Sequence, residues 1–392
     1  MMRFKKRKQS QEYSKSNKVR LIRGGKEYFE LVLSLIGKAT ESIHLQTYIY
    51  ENDETGRLVA DALKAAAKRN VAVYLLVDGY ASQSLPEEFI KDLENNGIHF
   101  RFFEPLLKSR HFYFGRRLHH KLLVVDAQYA VTGSKNISNR YNDMNGERAW
   151  LDLTLLMEGE IVEALCEVCT KMWKGFRVEK KIIPCKNSGA FNFTKAEETE
   201  LRIRRNDWLR RKTQISATYA EMFRKAHSHI TILCSYFLPG NRMRKNLSAA
   251  ARRGVKIKVI VAGKSDVMIS KNAERWLYDW LLRNHIEVYE YEPAVLHAKT
   301  AVCDSEWATI GSYNINNISA YTSVELNMDV RSVSFAKEVE KTLQEIIQNE
   351  SILITNEELL KTKNIFRQFI RWASYQSIRL LFYLVTFYYK RD

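Results

Sequence analysis

Two stretches of the chain carry the same polar residues at the same spacing. Residues 119–136 read HHKLLVVDAQYAVTGSKN, and residues 297–314 read HAKTAVCDSEWATIGSYN. Each begins with His, one residue and Lys, reaches Asp after four more residues, and closes on Gly-Ser-x-Asn. Histidine can attack phosphorus or carry a proton, and lysine, serine and asparagine can hold the oxygens of an anion. Two such sets predict one phosphate site that is assembled from both.

The His and Lys of each copy are separated by one residue, so on a strand both side chains point to the same face. The apolar run that follows, LLVV or TAVC, predicts a strand that is buried on both faces. The Gly-Ser-x-Asn segment follows a short turn and can return a hydroxyl and an amide to the side of the histidine. One histidine would then attack phosphorus while the other protonates the leaving oxygen.

The two halves of the chain resemble each other well beyond these motifs. LKAAAKRNVAVYLLVDG at 63–79 matches LSAAARRGVKIKVIVAG at 247–263, and NGIHFRFFEP at 96–105 matches NHIEVYEYEP at 284–293. Each half predicts strand, helix, strand, helix, strand and then the motif strand, which is the alternation of an α/β domain. The pattern indicates an internal duplication.

The length and composition suit one domain for each motif copy. A chain of 392 residues with 45% hydrophobic content can bury two ordinary cores. Residues 178–199 lose apolar periodicity and gain Lys, Gly, Pro and Ser, which indicates a linker. We predict a basic mobile arm over 1–18, a first domain over 19–177, the linker over 178–199, a second domain over 200–350 and a C-terminal segment over 351–392.

The C-terminal segment has the pattern of a basic amphipathic helix. Lys363, Arg367 and Arg371 recur every four residues on one face. Apolar residues fall near another face: Phe366, Phe369, Ile370, Ala373, Leu380, Leu381 and Leu384. The closing apolar run, 380–389, is far shorter than the ~20 residues needed to cross a bilayer. We therefore predict a helix that lies in a membrane interface, with packing on the second domain as the alternative.

The charge balance predicts polyanionic partners. Lys and Arg number 62 against 45 Asp and Glu, which gives a formal net charge of +17. Nucleic acid and an anionic membrane surface would both suit this charge. No single-strand stacking platform or groove-reading helix is recognisable, so we expect no nucleic-acid partner. No obligate protein partner is indicated either.

The five cysteines are odd in number and scattered, and do not suggest a disulfide framework. This usage favours a reducing cytoplasm. Cys166 and Cys169 form a CxxC within an apolar helical pattern, and we interpret them as helix packing. No apolar run of signal-peptide type follows the N-terminus, and none approaches eighteen residues elsewhere, so we predict no spanning helix.

The duplicated motif resembles the signature of the phospholipase D superfamily. The resemblance implies two pseudo-twofold-related α/β/α domains, one active site at their interface, and a phosphohistidine formed without a metal ion or other cofactor. It implies that His119 and His297 are the nucleophile and the general acid/base, with His119 favoured as the nucleophile. The residues implied to hold the phosphate oxygens are Lys121, Lys299, Ser134, Ser312, Asn136 and Asn314.

Each catalytic histidine also needs a carboxylate that fixes its tautomer. By the resemblance, Glu325 in SVELN orients the histidine of its own half. Asp152 in WLD takes this role in the first half, and Glu147 is the competing choice. Asp126 and Asp304 belong to the signature and count among the catalytic candidates. The alternative for these two is a buried anchor of the motif strand.

Within the superfamily, the chain is most similar to bacterial cardiolipin synthases, especially the type without N-terminal membrane helices. The similar segments include YIYENDETG, VDGYAS, YFLPG and WATIGSYNINNISAYTSVELN. This resemblance implies that one phosphatidylglycerol forms phosphatidyl-histidine and releases glycerol. A hydroxyl of a second phosphatidylglycerol then resolves the intermediate to cardiolipin.

Two other functions are alternatives to phosphatidyl transfer. A phospholipase D-type hydrolase or nuclease would use water as the acceptor, and a silent module would only bind polyanions. Both motif histidines are present, which disfavours the silent module. For the transferase we expect an anionic phospholipid substrate and a peripheral location on the cytoplasmic face of the bacterial cell membrane.

Overall fold

The computed structural model describes residues 12–105, 116–144, 146–175, 185–186, 191, 193–361 and 364–387. Within these ranges the chain forms two α/β domains that share a hydrophobic core. Each domain is built on one mixed sheet, so the predicted fold class of two related α/β domains is confirmed.

The first domain contains the sheet that carries the first motif. Its elements are β1 (Asn17–Arg23), α1 (Gly25–Lys38), β2 (Ser42–Thr47), α2 (Glu54–Lys68), β3 (Ala72–Asp78), α3 (Glu87–Asn95), β4 (Ile98–Phe103), β5 (Arg117–Leu118), β6 (Lys121–Val125), β7 (Tyr129–Gly133), β8 (Leu153–Gly159) and α4 (Glu160–Lys174). A 3-10 turn over Asn139–Tyr141 lies between β7 and β8.

The second domain repeats this plan and extends it at the C-terminus. Its elements are β9 (Glu200–Asp207), β10 (Lys212–Thr213), α5 (Gln214–Lys225), β11 (His229–Cys234), α6 (Asn241–Arg252), β12 (Lys256–Lys264), α7 (Met268–Trp276), α8 (Tyr278–Arg283), β13 (Ile286–Val295), β14 (Lys299–Cys303), β15 (Trp307–Gly311), α9 (Asn317–Tyr321), β16 (Ser323–Arg331), α10 (Val333–Glu350), β17 (Ser351–Leu353), α11 (Asn356–Lys361) and α12 (Ile365–Phe387).

The two sheets have the same strand order around the motif strands. The first runs β1-β8-β7-β6-β2-β3-β4, and the second contains β9-β16-β15-β14-β11-β12-β13 with β10 and β17 at its edges. In both sheets the motif strand, β6 or β14, is antiparallel to its neighbour, β2 or β11. The strands beyond that neighbour are parallel to one another. The shared order reflects the duplication seen in the sequence.

The motif strand β6 is buried on both faces because its apolar residues alternate between two cores. Leu122 and Val124 join one hydrophobic cluster, and Leu123 and Val125 join another. This is the period-two pattern of a strand between two layers. His120 is also fully buried, and one ring nitrogen lies 2.7 Å from the side-chain oxygen of Gln46.

One hydrophobic core joins the domains. It contains apolar side chains of α4 and α10 together with residues of β6, β8, β14 and β16. Helix α4 can enter this core because Ile161, Leu165, Val168 and Met172 recur every three or four residues. Outer cores lie beneath α1, α2 and α3 in the first domain and beneath α5, α6 and α8 in the second. Both motif strands therefore contribute side chains to the same hydrophobic core.

The cysteine prediction was wrong for one pair. Cys166 in α4 forms a disulfide with Cys185, which lies in the segment predicted as a linker. Cys169, the other residue of the CxxC, is buried and unpaired in α4, as expected for helix packing. The two cysteines are 19 residues apart in the sequence, and Cys166 belongs to the first domain. The bond therefore attaches this point of the predicted linker to the first domain.

The predicted N-terminal arm contacts the second domain through Tyr13 and Ser14, and its first eleven residues lie outside the described ranges. The backbone of Ser14 exchanges two hydrogen bonds with Leu201 at 2.8 and 2.9 Å. The ring of Tyr13 lies 4.5 Å from the guanidinium of Arg202 and 4.0 Å from that of Arg331. These contacts attach residues 13 and 14 to the second domain, so this part of the arm is not a free tail.

Helix α12 packs on the second domain with one face and exposes another. Ile378 and Phe382 are buried against Leu238, Ala273 and Leu277. The exposed apolar side chains include Ile365, Phe366, Phe369, Ile370, Leu380 and Leu381. Lys363 and the last residues of the predicted apolar run lie outside the described ranges. Among the described helices, none has the length and apolar character that crossing a membrane would require.

Candidate active site

The start of each motif strand is hydrogen-bonded to the other domain. The backbone N–H of His119 donates to the carbonyl oxygen of Val324 at 3.0 Å, and that of His297 donates to the carbonyl oxygen of Leu151 at 2.8 Å. In addition, β5 pairs in parallel with the start of β16. In both cases the acceptor carbonyl belongs to the residue just before a candidate carboxylate, so the domain interface brings histidines and carboxylates together.

The histidine–carboxylate pairs cross between the domains. Oε2 of Glu325 lies 3.0 Å from Nδ1 of His119, and Oδ2 of Asp152 lies 3.0 Å from Nδ1 of His297. The expectation that each carboxylate serves the histidine of its own half was therefore wrong, because each carboxylate strand runs beside the other domain's motif. Glu147, the competing choice, is exposed and belongs to neither pair. With Nδ1–H donating to a carboxylate, Nε2 of each ring carries the lone pair.

The motif serines support these carboxylates. The hydroxyl of Ser134 donates to Oδ1 of Asp152 at 2.7 Å, and that of Ser312 donates to Oε2 of Glu325. A serine hydroxyl has a single proton, so in this arrangement neither serine can also donate to a phosphate oxygen. Direct phosphate binding by the serines stays a prediction, and it would require each hydroxyl to leave its carboxylate.

The motif asparagines hold the chain just after the central strands. Oδ1 of Asn136 accepts from the backbone N–H of Ile49 at 3.1 Å, and Oδ1 of Asn314 accepts from that of Tyr236 at 3.3 Å. Ile49 follows β2 and Tyr236 follows β11, so the two contacts are equivalent in the duplicated halves. They fix the loops that lead away from the site.

The two motif lysines are buried cations at the centre of the site. Lys121 and Lys299 are 3% and 1% exposed, and their ammonium groups donate to the backbone oxygens of His119 and His297. Burial lowers the pKa of Lys121 to about 7, and the nearby charge of Lys299 adds to the effect. Burial also lowers the pKa of Lys299 to about 8, against the opposing charge of Asp152. A buried cation pair of this kind gains from a bound anion.

Both histidines are neutral at neutral pH and their carboxylates are ionised. Burial lowers the pKa of His297 to about 3, helped by the charge of Lys299 and opposed by Asp152. Burial lowers the pKa of His119 as well, and Glu325 opposes this. Burial alone would raise the pKa of Asp152, but the bond from His297 and nearby lysine charges lower it to about 2. A neutral imidazole can attack phosphorus or accept a proton.

Aromatic side chains line both histidines. The ring of Tyr48 is 4.8 Å from that of His119, and Tyr141 and Trp150 are 5.1 and 5.9 Å from the ring of His297. The sequence reasoning did not assign these residues. Tyr48 and Trp150 occur in the segments YIYENDETG and WLD that carry the family resemblance, which was the available signal. Tyr141 had no such signal.

The signature aspartates lie at the far end of the motif strands from the lysines. Asp126 accepts backbone hydrogen bonds from Thr40, Glu41 and Ser42, each at 2.8 Å, and the turn that follows β6 begins at Asp126 with a φ of 53°. Asp304 makes the equivalent contacts with residues 227–229. Asp126 lies five residues after Lys121 along the extended strand, which is about 17 Å at ~3.3 Å per residue. These contacts favour the alternative that both aspartates anchor the motif strand, and a catalytic role for them stays a prediction.

A duplicated His-x-Lys motif with two histidine–carboxylate pairs between paired α/β domains defines a member of the phospholipase D superfamily. The family described as "Cardiolipin synthase, PLD-like domain" matches residues 32–173 and 219–347. Cardiolipin synthase B of Escherichia coli is 33% identical over 338 residues, which cover 86% of this chain and 81% of that protein. The major cardiolipin synthase ClsA of Bacillus subtilis is 29% identical over 345 residues, covering 85% and 69%. The chain belongs to the cardiolipin synthase family of this superfamily.

A solved structure shares the fold over nearly the whole chain. Phosphatidylserine synthase of Haemophilus influenzae superposes with a TM-score of 0.73 at 13% identity and covers 93% of this chain and 94% of its own. At this identity the likeness concerns the architecture of the two domains and not the substrate.

Proposed function

We propose that this cardiolipin synthase family member joins two phosphatidylglycerol molecules by two displacements at one phosphorus. In the first, Nε2 of His119 attacks phosphorus, the bond from phosphorus to the glycerol oxygen breaks, and His297, which is neutral in the free site and takes up a proton when the phosphodiester anion binds, gives that proton to the glycerol oxygen. In the second, a hydroxyl oxygen of another phosphatidylglycerol attacks the phosphorus of the phosphatidyl-histidine, the bond from Nε2 of His119 to phosphorus breaks, and His297 takes the hydroxyl proton. Free glycerol and cardiolipin are the products.

The observation that carries this proposal is the pair of crossed histidine–carboxylate contacts at 3.0 Å. Each ring has its Nδ1 engaged, which supports the use of both Nε2 atoms on one phosphate. Attack by a ring nitrogen leaves positive charge on the imidazole, and the adjacent carboxylate stabilises that charge. Two different steps need two such histidines, and the interface supplies one from each domain.

Differences between the two pairs support His119 as the nucleophile. The His119 side chain is 17% exposed, and that of His297 is 9% exposed. Among the described residues, no hydrogen-bond partner reaches Nε2 of His119, whereas the hydroxyl of Tyr141 lies 3.5 Å from Nε2 of His297. A nucleophile needs an unshared lone pair and access to the substrate, and His119 meets both conditions.

The lysines are suited to bind the phosphodiester and its transition state. Two ammonium groups, Lys121 and Lys299, interact electrostatically with both histidines and with each other. A bound phosphodiester anion raises the pKa of each lysine and of His297, because it adds negative charge to a buried, positively charged site. The same charge stabilises the developing negative charge on the phosphoryl oxygens.

We infer that α12 and its neighbours hold the enzyme on the membrane surface. Phe366 and Phe369 in α12 are 77% and 62% exposed, and Met268 in α7 is 64% exposed. Exposed Arg367 and Arg379 lie among the apolar residues of α12, which is the composition that anionic lipid surfaces attract.

This surface is connected to the phosphate site through one loop. Leu238 packs in the cluster beneath α12, and its backbone N–H donates to the carbonyl oxygen of Ile315 at 3.0 Å. Ile315 directly follows the motif residue Asn314. A helix docked on the bilayer would therefore place the active site close to the lipid headgroups.

The experiment that tests the activity uses phosphatidylglycerol vesicles and separation of the lipid products. We expect cardiolipin and glycerol. Phosphatidic acid as the sole product would favour the hydrolase alternative and reject the transfer. With a donor that carries a good leaving group, His297→Ala should still form the phosphatidyl-enzyme, because only proton transfer is impaired. His119→Ala should form none, and an adduct trapped on His297 in the wild type would reverse the roles.

A further inference from the structure

Tyr141 places a phenol hydroxyl against the proton-transferring histidine. It ends the 3-10 turn that follows the first motif, and its side chain is 1% exposed. Its ring meets the ring of His297 edge-on, with 5.1 Å between the centroids. The phenol oxygen lies 3.5 Å from Nε2 of His297 and 2.8 Å from Nδ2 of Asn136.

The direction of these hydrogen bonds follows from their neighbours. The backbone N–H of Ile49 can only donate, so the atom of Asn136 that faces it is the amide oxygen. The other end of that amide is NH₂, which donates to the phenol oxygen. Nδ1 of His297 faces the ionised carboxylate of Asp152 and holds the ring proton. The phenol proton of Tyr141 is therefore directed at the lone pair on Nε2.

The equivalent position of the duplicated half carries no phenol. Tyr141 lies five residues after the motif residue Asn136, and the position five residues after Asn314 is Ser319 in α9. The backbone N–H of Ser319 bonds the side chain of Asn316, as part of the cap of that helix. The pseudo-twofold symmetry of the site is thus broken at the Nε2 atom of one histidine.

We propose that Tyr141 is a positioning residue that reserves Nε2 of His297 for the acceptor hydroxyl and keeps water from it. The proposal rests on the proposed function and deepens it, since it concerns the choice between a lipid alcohol and water. When the acceptor binds, its hydroxyl replaces the phenol at Nε2. The acceptor oxygen then bonds phosphorus, the bond from His119 to phosphorus breaks, and the acceptor proton moves to Nε2 of His297. Tyr141 keeps its own proton throughout, and burial raises the pKa of this phenol.

The pKa of His297 depends on the charged groups around its ring and on the hydroxyl of Tyr141. Asp152 faces Nδ1, and the charges of Lys299 and Lys121 act on the ring from the two motif strands. None of these groups changes when the phenol is removed. A hydroxyl that donates to Nε2 favours the neutral ring, so its loss should raise the pKa of His297.

The test uses the full chain with Tyr141→Phe, which keeps the ring and removes the hydroxyl. Adduct formation at His119 from a donor with a good leaving group should match the wild type. During resolution on vesicles, the ratio of phosphatidic acid to cardiolipin should rise several-fold. We also follow the pH dependence of the rate of the second step, in which the acceptor attacks the phosphatidyl-histidine. The acidic limb of this pH profile should move to higher pH by about half a unit, as expected for one weak hydrogen bond.

Two further variants separate this role from a structural one. Tyr50→Phe also removes a buried tyrosine hydroxyl, one that donates to the carbonyl of Gly56 at 2.7 Å, and should leave the product ratio and the pH limb unchanged. A ring-fluorinated tyrosine at position 141 is a stronger donor of nearly the same shape, and should move the limb to lower pH.

The outcomes are distinguishable. The proposal would be overturned if both position-141 variants kept the wild-type ratio of phosphatidic acid to cardiolipin and the wild-type acidic limb of the pH profile. Loss of adduct formation in the folded Tyr141→Phe protein would also overturn it, because the hydroxyl would then act on the first step. If the wild type itself forms no adduct, the proposed function fails independently of Tyr141. If it forms phosphatidic acid alone, transfer is rejected and the two pH shifts still test the contact.

Discussion

Neutralising one carboxylate at a time tests the crossed pairing of the two domains. In the proposed mechanism, attack by His119 leaves positive charge on its ring, and Oε2 of Glu325 lies 3.0 Å from Nδ1 of that ring. At that distance a unit charge pair in an effective dielectric of about 20 interacts by about 5.5 kcal/mol, or about four powers of ten in rate. Because a glutamine dipole retains part of this stabilisation, we expect Glu325→Gln to slow adduct formation by about 10³-fold.

The partner variant should affect the other step. Asp152→Asn removes the charge beside His297, so adduct formation from a donor with a good leaving group should persist while resolution by lipid slows. Rapid quenching of labelled donor measures the first step, and release of cardiolipin measures the second. Glu147→Gln alters an exposed carboxylate outside both pairs and serves as the control. If the adduct is trapped on His119 and Glu325→Gln nevertheless spares it while Asp152→Asn abolishes it, the pairing would follow the halves and our reading of the interface would be refuted.

The remaining predictions concern metal, pH and membrane contact. Activity should survive EDTA because Lys121 and Lys299 supply the positive charge, and complete loss restored by a divalent ion would contradict this. Affinity for a non-hydrolysable phosphodiester, measured by calorimetry, should fall as pH rises through the lysine pKa values of about 7 and 8, since deprotonation removes the binding charge; a flat profile would argue against lysine binding. Phe366→Glu with Phe369→Glu should abolish sedimentation with anionic vesicles and preserve activity in detergent micelles. Leu58→Glu, at an exposed apolar site in α2, should sediment as the wild type does, and unimpaired binding by the double variant would exclude α12 as the anchor.

The sequence was sufficient for features that depend on local pattern. The side chains of LLVV alternate between two cores, as expected for a strand that lies between two layers. The repeated segments likewise predicted that the two domains share one strand order. The His and Lys of each motif lie on one strand, so their proximity was predictable as well. Each of these inferences uses residues that are close in sequence or related by the duplication.

Contacts between the domains could not be derived in the same way. Glu325 follows His297 in the same half, and pattern alone pairs them, but the parallel contact of β5 with β16 brings Glu325 to His119 instead. The disulfide of Cys166 with Cys185 depends on the path of a linker that has no periodicity. The choice between a catalytic role and a strand anchor stayed open for Asp126 because membership in a signature does not reveal which end of the strand a side chain occupies.

The crossed arrangement makes the chemistry a property of the interface. Each half contributes a histidine, a lysine and a serine, but the carboxylate that fixes its histidine comes from the other half. A single half would present an imidazole with an undefined tautomer beside a poorly compensated buried lysine. Docking the halves balances two ammonium groups with two carboxylates and leaves both rings neutral. The duplication in one chain then allows the two rings to differ, and Tyr141 opposite Ser319 is a position where they do. A symmetric pair of identical halves would give both histidines the same surroundings, whereas a reaction with one nucleophile and one proton carrier benefits from two different ones.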